Sequence, residues 1–212
     1  MLTVVIAALN EEERVAAAVR SAFEAGASEV IVVDGGSAEA TAARARDAGA
    51  RVILGERMRA KQLNLGAREA ANDTILFLHA DTFLPRGAAE AVLASGVSFG
   101  GFRIAFAERS LRLRCVAFMI NLRTRMTRQP WGDQAQFVRR DAFPGFREIP
   151  IMEDYDLARR MKRGAILPLT VVTSGRRFLQ KGVLRTSFIN WMTILRYHLG
   201  ADADALARRY RK

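Results

Sequence analysis

The chain has 212 residues, half of them hydrophobic, and a formal net charge of +11. That length carries one domain with a real core, and the hydrophobic share excludes a disordered chain. The single cysteine, Cys115, excludes an intramolecular disulfide framework and a cysteine zinc cluster, and no uninterrupted apolar run approaches the ~20 residues that span a bilayer.

The positive charge is mostly arginine, which attracts nucleic acid, anionic lipid or phosphorylated ligands. The basic residues are spread through the chain and form no nucleic-acid motif, so no nucleic-acid partner is expected. Met1-Leu2-Thr3-Val4 enters a strand directly, without the basic region and cleavage site of a signal peptide. With one cysteine, a reducing, cytoplasmic setting is expected.

Leu2 to Ala8 is an apolar run of strand length. Asn10 reads as the N-cap of a helix reaching Ala25, with Glu11, Glu12 and Glu13 at the positive end of its dipole. Gly26 ends that helix. Glu29 to Val33 is a second strand, closed by Asp34-Gly35-Gly36-Ser37. A helix from about Ala38 to Ala48, a strand over Arg51 to Leu54 and a helix from about Ala60 to Ala71 follow. Thr74 to Leu78 is a buried strand that stops abruptly at His79-Ala80-Asp81, and Pro85 opens the next helix. This alternation, with short Gly-containing connections, predicts a parallel sheet covered by helices on both faces.

After Ala94 the rhythm changes. Ser98 to Phe106 reads as a half-buried strand in a mixed part of the sheet, and Arg109 to Arg128 as a long helix with a basic face. Trp131-Gly132-Asp133-Gln134 is a loop before a short strand, Ala135 to Val138. Met152 to Met161 is a helix led by Glu153 and Asp154. Ile166 to Thr173 is a strand pair or one bent strand. Val183 to Arg211 is helical, with Leu184, Phe188, Trp191, Ile194, Leu195 and Leu199 at helical spacing. No linker or repeat divides the chain, so one domain is expected.

Chemistry is expected where strands end. In open α/β sheets ligands bind at the carboxyl edge, and His79 and Asp81 stand there. Hard cations that neutralise a diphosphate prefer carboxylate oxygens. Asp81 is therefore either a metal ligand or the cap of the following helix. Asp34 ends the second strand in the same way. It either accepts from a ribose hydroxyl or base N–H, or belongs to a turn that merely needs glycine. Neither G-x-G-x-x-G nor a P-loop is present. Arg59 and Lys61 either meet phosphate oxygens or sit in a solvated first turn. Glu153-Asp154-Tyr155-Asp156 places carboxylates at a helix N-terminus, to act as general base or only to cap. Of the two histidines, His198 is expected to have no role, and no Ser-His-Asp order or H-E-x-x-H is visible.

The ordered set Ala8-Leu9-Asn10-Glu11, Val33-Asp34-Gly35-Gly36-Ser37, Leu78-His79-Ala80-Asp81 and Glu153-Asp154-Tyr155-Asp156-Leu157 resembles a family 2 glycosyltransferase. The resemblance runs from residue 2 to about 163, and the tail from Ser174 through Tyr210 is similar to a small bacterial branch of that family. It implies a GT-A fold, α/β with a mostly parallel central sheet, helices on both faces and a helical C-terminal tail. It implies a donor-binding half over 1–95, an acceptor half over 96–175 and a tail over 176–212. It also implies a nucleotide-diphosphate-sugar donor, a UDP-sugar by preference, and a divalent cation, Mn²⁺ or Mg²⁺. By the same carry-over Asp34 contacts the base, Ala8 and Glu11 line the nucleoside pocket, and Lys61 and Ala80 join the donor site. Asp81 is the metal-binding acid of the D-x-D motif. Asp154 is the catalytic base of an inverting reaction, and Trp131, Gly132, Asp133 and Glu153 face the acceptor. His79 departs from the pattern, standing where the family commonly has aspartate, and imidazole suits Mn²⁺ better than Mg²⁺.

Two other classes compete. A nucleotidyltransferase usually places a Gly-rich basic loop after the first strand, where this chain has Ala8-Leu9-Asn10-Glu11. A non-catalytic nucleotide-binding protein is the other, and turnover separates it from an enzyme. The apolar series in the tail, beside Arg185 and Arg196, either lies on an anionic membrane, suiting a lipid-linked acceptor at its inner face, or packs on the domain or on a second subunit as a homodimer.

Overall fold

Val4, Val5 and Ile6 are completely buried, which a strand achieves only when both faces of its sheet are covered. They belong to β1 (Leu2–Ala8), the centre of the parallel half of the molecule. The computed structural model describes residues 1–211, and Lys212, the end of the expected tail, lies outside them. Because side chains alternate along a strand, Val4 and Ile6 join one core layer with Val15, Ala18 and Val19 of α1 (Val15–Glu24). Val5 joins the opposite layer with Leu63 and Ala67 of α3 (Arg59–Glu69) and Leu157 of α6 (Glu153–Arg160).

β1 is flanked by β2 (Glu29–Asp34) and β4 (Thr74–His79), both parallel to it, and β3 (Arg51–Leu54) lies outside β2. Ala8 pairs with Asp34 and Ala7 with His79, so the expected strand-end residues arrive at one edge. Among the described residues the eight-stranded sheet runs β3-β2-β1-β4-β7-β6-β8-β5. Its second half is mixed. β7 (Phe137–Arg139) runs antiparallel to β4 and to β6 (Phe99–Phe106), and β6 is parallel to β8 (Ala165–Thr173). The bend expected in β8 is a register shift opposite Phe102 and Arg103 within one strand.

Several local expectations are corrected. Asn10 is not an N-cap: its φ is 54°, its N–H donates to Ser37 Oγ at 2.9 Å, and its Oδ1 accepts from Ala38. These bonds to the loop before α2 (Thr41–Asp47) replace capping, and α1 starts at Val15. Pro85 does not open a helix, because Gly87 in the left-handed region follows it and α4 starts at Ala88 (Ala88–Ser95). Asp81 therefore caps nothing. It lies in the turn from β4 to β5 (Thr82–Phe83), a strand too short to show a period in sequence. Trp131 leads into a 3₁₀ turn over Gly132–Gln134 rather than an irregular loop.

After α5 (Leu111–Thr127) and β8, the tail is three helices, not one: α7 (Arg176–Lys181), α8 (Val183–His198) and α9 (Ala203–Arg211). Gly182 and Gly200, at φ 85° and 82°, make the breaks. Most of the apolar series on α8 does not pack on the domain, and of its members Ile194 alone is half-buried. Leu184, Phe188, Trp191, Leu195 and Leu199 all face outward. Among the described residues no helix is long and apolar enough to cross a membrane.

Candidate active site

The carboxyl ends of β1, β2 and β4 build one side of the site. Asp34 is buried, and both its oxygens accept from Ser37, one from the hydroxyl and one from the N–H. Gly35 donates its N–H to the Ala8 carbonyl at 2.9 Å, closing the floor between β1 and β2. Ala80 is buried in the turn after β4. Beside it the Asp81 carboxylate lies 3.6 Å from Arg176 Nη2, and its carbonyl accepts from Ser174 N–H at 3.2 Å. The same guanidinium pairs with Glu11. Arg176, the first residue of α7, thus ties the loop after β1 to the turn after β4, and the Glu11 bond raises its pKa further. Sequence reasoning assigned this arginine no role. The only sign was the Ser174-Gly175-Arg176-Arg177 run directly after a strand.

The second side comes from the turn at Trp131 and the start of α6. Asp154 accepts from Gly132 N–H at 2.7 Å and from Tyr155 N–H at 2.8 Å. A Cβ on Gly132 would stand 2.7 Å from Asp154 Oδ2 and 2.8 Å from His79 Nε2. Only glycine lets the end of β4 and the start of α6 approach this closely. His79 Nε2 is out of solvent and has no partner among the described residues. Burial first, and the Arg59 charge second, hold its pKa well below the usual value, so the ring is neutral. Arg59 pairs with buried Glu153 at 3.0 Å. Burial nevertheless raises the Glu153 pKa.

Asp133 is pushed up to about 6 by burial, against the opposing pull of Arg123, and its Oδ1 has no partner among the described residues. Arg123 lies 3.3 Å above the Trp131 ring and donates to Gln134 Oε1 at 2.9 Å. Burial brings its own pKa down to about 10. A 430 Å³ cavity is lined by Arg59, His79, Asp133, Glu153 and Asp154.

Lys61 is not brought to this place. It pairs with Glu56 at 2.6 Å beside Arg68 and Glu148, in a separate hollow. His198, expected to be idle, hydrogen-bonds the Tyr155 hydroxyl, and Tyr197 donates to Asp156 at 3.0 Å, so the end of α8 holds α6.

Among the described residues no three metal-ligating side chains converge. Asp81 stands as a single, partly exposed carboxylate. Mg²⁺-type cations are commonly held by one or two carboxylates together with substrate phosphates. This donor set fits a cation that arrives with a diphosphate rather than a preformed cage.

Residues 3–97 match the family described as glycosyl transferase family 2. The resemblance read from Ala8, Asp34 and Asp81 is borne out over that stretch, while Asp154 lies beyond it. The GT-A fold is shared with glucosyl-3-phosphoglycerate synthase from Mycobacterium tuberculosis. One structure of it has a TM-score of 0.57 and 20% identity, over 82% of this chain and 72% of that one. A complex of that synthase with Mn²⁺ and UDP-glucose gives 0.57 and 19%, over 82% and 70%. A further mycobacterial protein gives 0.55 and 21%, over 82% of this chain and 65% of its own length. The chain therefore spans about two thirds of the length of these structures. No curated protein sequence matches it.

Proposed function

We propose that the chain transfers a sugar from a UDP-sugar to an acceptor hydroxyl, with inversion at the anomeric carbon and with a divalent cation. The observation that carries this reading is the meeting of two carboxylate-bearing sides at the end of β4. Asp81 lies on the donor side, and Asp154 lies across Gly132 from His79. Buried Asp34 is the partner for the base, with Ala8 and Glu11 lining the nucleoside pocket and the Ala80 backbone beside the diphosphate. Asp81 is the residue that would hold the cation. When bound, that cation supplies Lewis-acid neutralisation of the charge left on the leaving group. Arg176 adds a fixed positive charge at the same point.

Asp154 takes the proton of the attacking hydroxyl. Attack from the opposite face needs one such base and no covalent intermediate. Trp131, Gly132, Asp133 and Glu153 form the acceptor side, so residues 1–95 serve the donor and 96–175 the acceptor. Release of UDP from a UDP-sugar, dependent on an acceptor, tests the reading. Binding without turnover would leave a nucleotide-binding protein.

On the same reading the enzyme works at the inner face of the cell membrane on a lipid-linked acceptor. The outward apolar residues of α8 and those of α5, Leu111, Phe118, Met119 and Met126, support this, with Arg112, Arg114, Arg185 and Arg196 among them. The protein is expected to co-sediment with anionic vesicles at low salt, with Trp191 fluorescence shifting to the blue. Sedimentation equal to that with neutral vesicles, or a stable homodimer covering α8, would remove the membrane from the proposal.

A further inference from the structure

A second cavity adjoins the one holding Asp154 and shares Asp133, Trp131 and His79 with it. It measures 1230 Å³, beyond the ~300–1,000 Å³ of an ordinary small-molecule pocket. Of the donor-side residues, Asp81 and Arg176 line its inner end, while Ala8, Glu11 and Asp34 are not in its wall. Its sides are α5 and α8, where Val116, Met119 and Ile120 stand with Leu184, Trp191 and Ile194. Along α5 the wall runs from Leu111 to Arg123, roughly 18 Å at ~1.5 Å per residue.

The two ends differ in chemistry. At the inner end Asp133 Oδ1, Arg123 Nε and Nη1, and Asn190 Oδ1 are out of solvent and have no partner among the described residues. Buried polar atoms in this state call for a polar ligand or water. At the outer end Leu111 and Leu184 are 74% and 85% exposed. Arg112, Arg123, Arg176, Arg177 and Arg185 all line the cavity and outnumber its carboxylates, Asp81 and Asp133.

We propose that this groove binds one extended alkyl chain of an anionic amphiphile, its anionic group at Arg123 and its hydroxyl toward Asp133, chain running out between α5 and α8. The inference rests on the transferase reading for its final step, in which the head-group hydroxyl is the acceptor presented to Asp154. It names the class of acceptor: a chain-bearing anionic compound rather than a free sugar or a small phosphorylated metabolite. An apolar trough of this length has no use for a polar acceptor, whereas each methylene buried in it is worth about fourfold in affinity.

Cys115 offers a direct readout, since it is exposed, is the single cysteine of the chain and lines the groove. Its rate of alkylation by a maleimide is to be measured with dodecyl, octyl and butyl phosphate below their micelle concentrations, and with inorganic phosphate. Dodecyl phosphate is expected to slow alkylation by about tenfold at a concentration where butyl phosphate changes it less than about twofold, following the fourfold step per methylene. Met119→Asp, on an exposed groove position, should abolish the protection, and Phe118→Asp, on the outer face of α5, should keep it.

Equal rates with dodecyl and inorganic phosphate, or equal protection in both variants, would overturn the proposal. So would protection that grows with protein concentration in the absence of any amphiphile, which assigns the groove to a second copy. UDP calorimetry on the same sample separates the two readings. UDP binding without chain protection removes the groove inference and leaves the transferase reading. Chain protection without UDP binding removes the acceptor assignment.

Discussion

Asp154→Asn is expected to lower acceptor-dependent UDP release by about 10²–10⁴-fold while leaving the affinity for UDP unchanged. The carboxylate is held by two backbone donors, Gly132 N–H and Tyr155 N–H. Asparagine keeps an oxygen for one of them, so the side chain stays in place and loses its basicity. The donor contacts come from the ends of β1, β2 and β4, which the substitution does not touch. UDP binding by calorimetry should match wild type, and the loss should be confined to the rate. A near wild-type rate would move the base to Asp133, whose Oδ1 faces the same cavity without a partner among the described residues. Its pKa of about 6 gives that alternative a signature. A base must be deprotonated to act, so the rate would fall as the pH drops through about 6.

Asp81→Ala is expected to remove the cation dependence of donor binding. Asp81 is the carboxylate placed for the cation, and it also anchors Arg176. Deleting one member of such a charge cluster costs about 2–5 kcal/mol, roughly 30-fold or more in Kd. The partial exposure of Asp81 places the effect toward the lower end. Calorimetry with UDP should show weak binding that Mn²⁺ no longer improves. An unchanged affinity and an unchanged Mn²⁺ response would shift the diphosphate site away from β4, with Arg176 left as a purely structural tie between Glu11 and the turn.

The parallel half of the fold was legible because its signals are local. Apolar runs of strand length end in Asp34 and His79, glycines punctuate them, and in-register pairing then brings their ends together without further information. What failed was set by partners distant in sequence. Asn10 has the right chemistry for a cap, yet Ser37 and Ala38 claim it. Arg176 meets a glutamate 165 positions earlier, and only its place directly after a strand distinguishes it from the other arginines of the tail. His198 finds Tyr155 across 43 positions. The periodicity of α8 announced an apolar face without saying which way it points, because the helix is seated by Tyr197 and His198 against α6, far away in sequence. The groove between α5 and α8 belongs to neither helix alone, so no pattern in either predicted it.

The donor site is tested most directly by thermal unfolding of the wild-type protein with UDP, with and without Mn²⁺. A ligand bound only to the native state at 100 times its Kd adds about 2.7 kcal/mol, which for a chain of this size raises Tm by roughly 5–11 °C. The site built from Asp34, Asp81 and Arg176 predicts such a rise with UDP and Mn²⁺ together and a much smaller one with either alone. A midpoint that does not move with UDP and Mn²⁺, at concentrations up to millimolar, would contradict it.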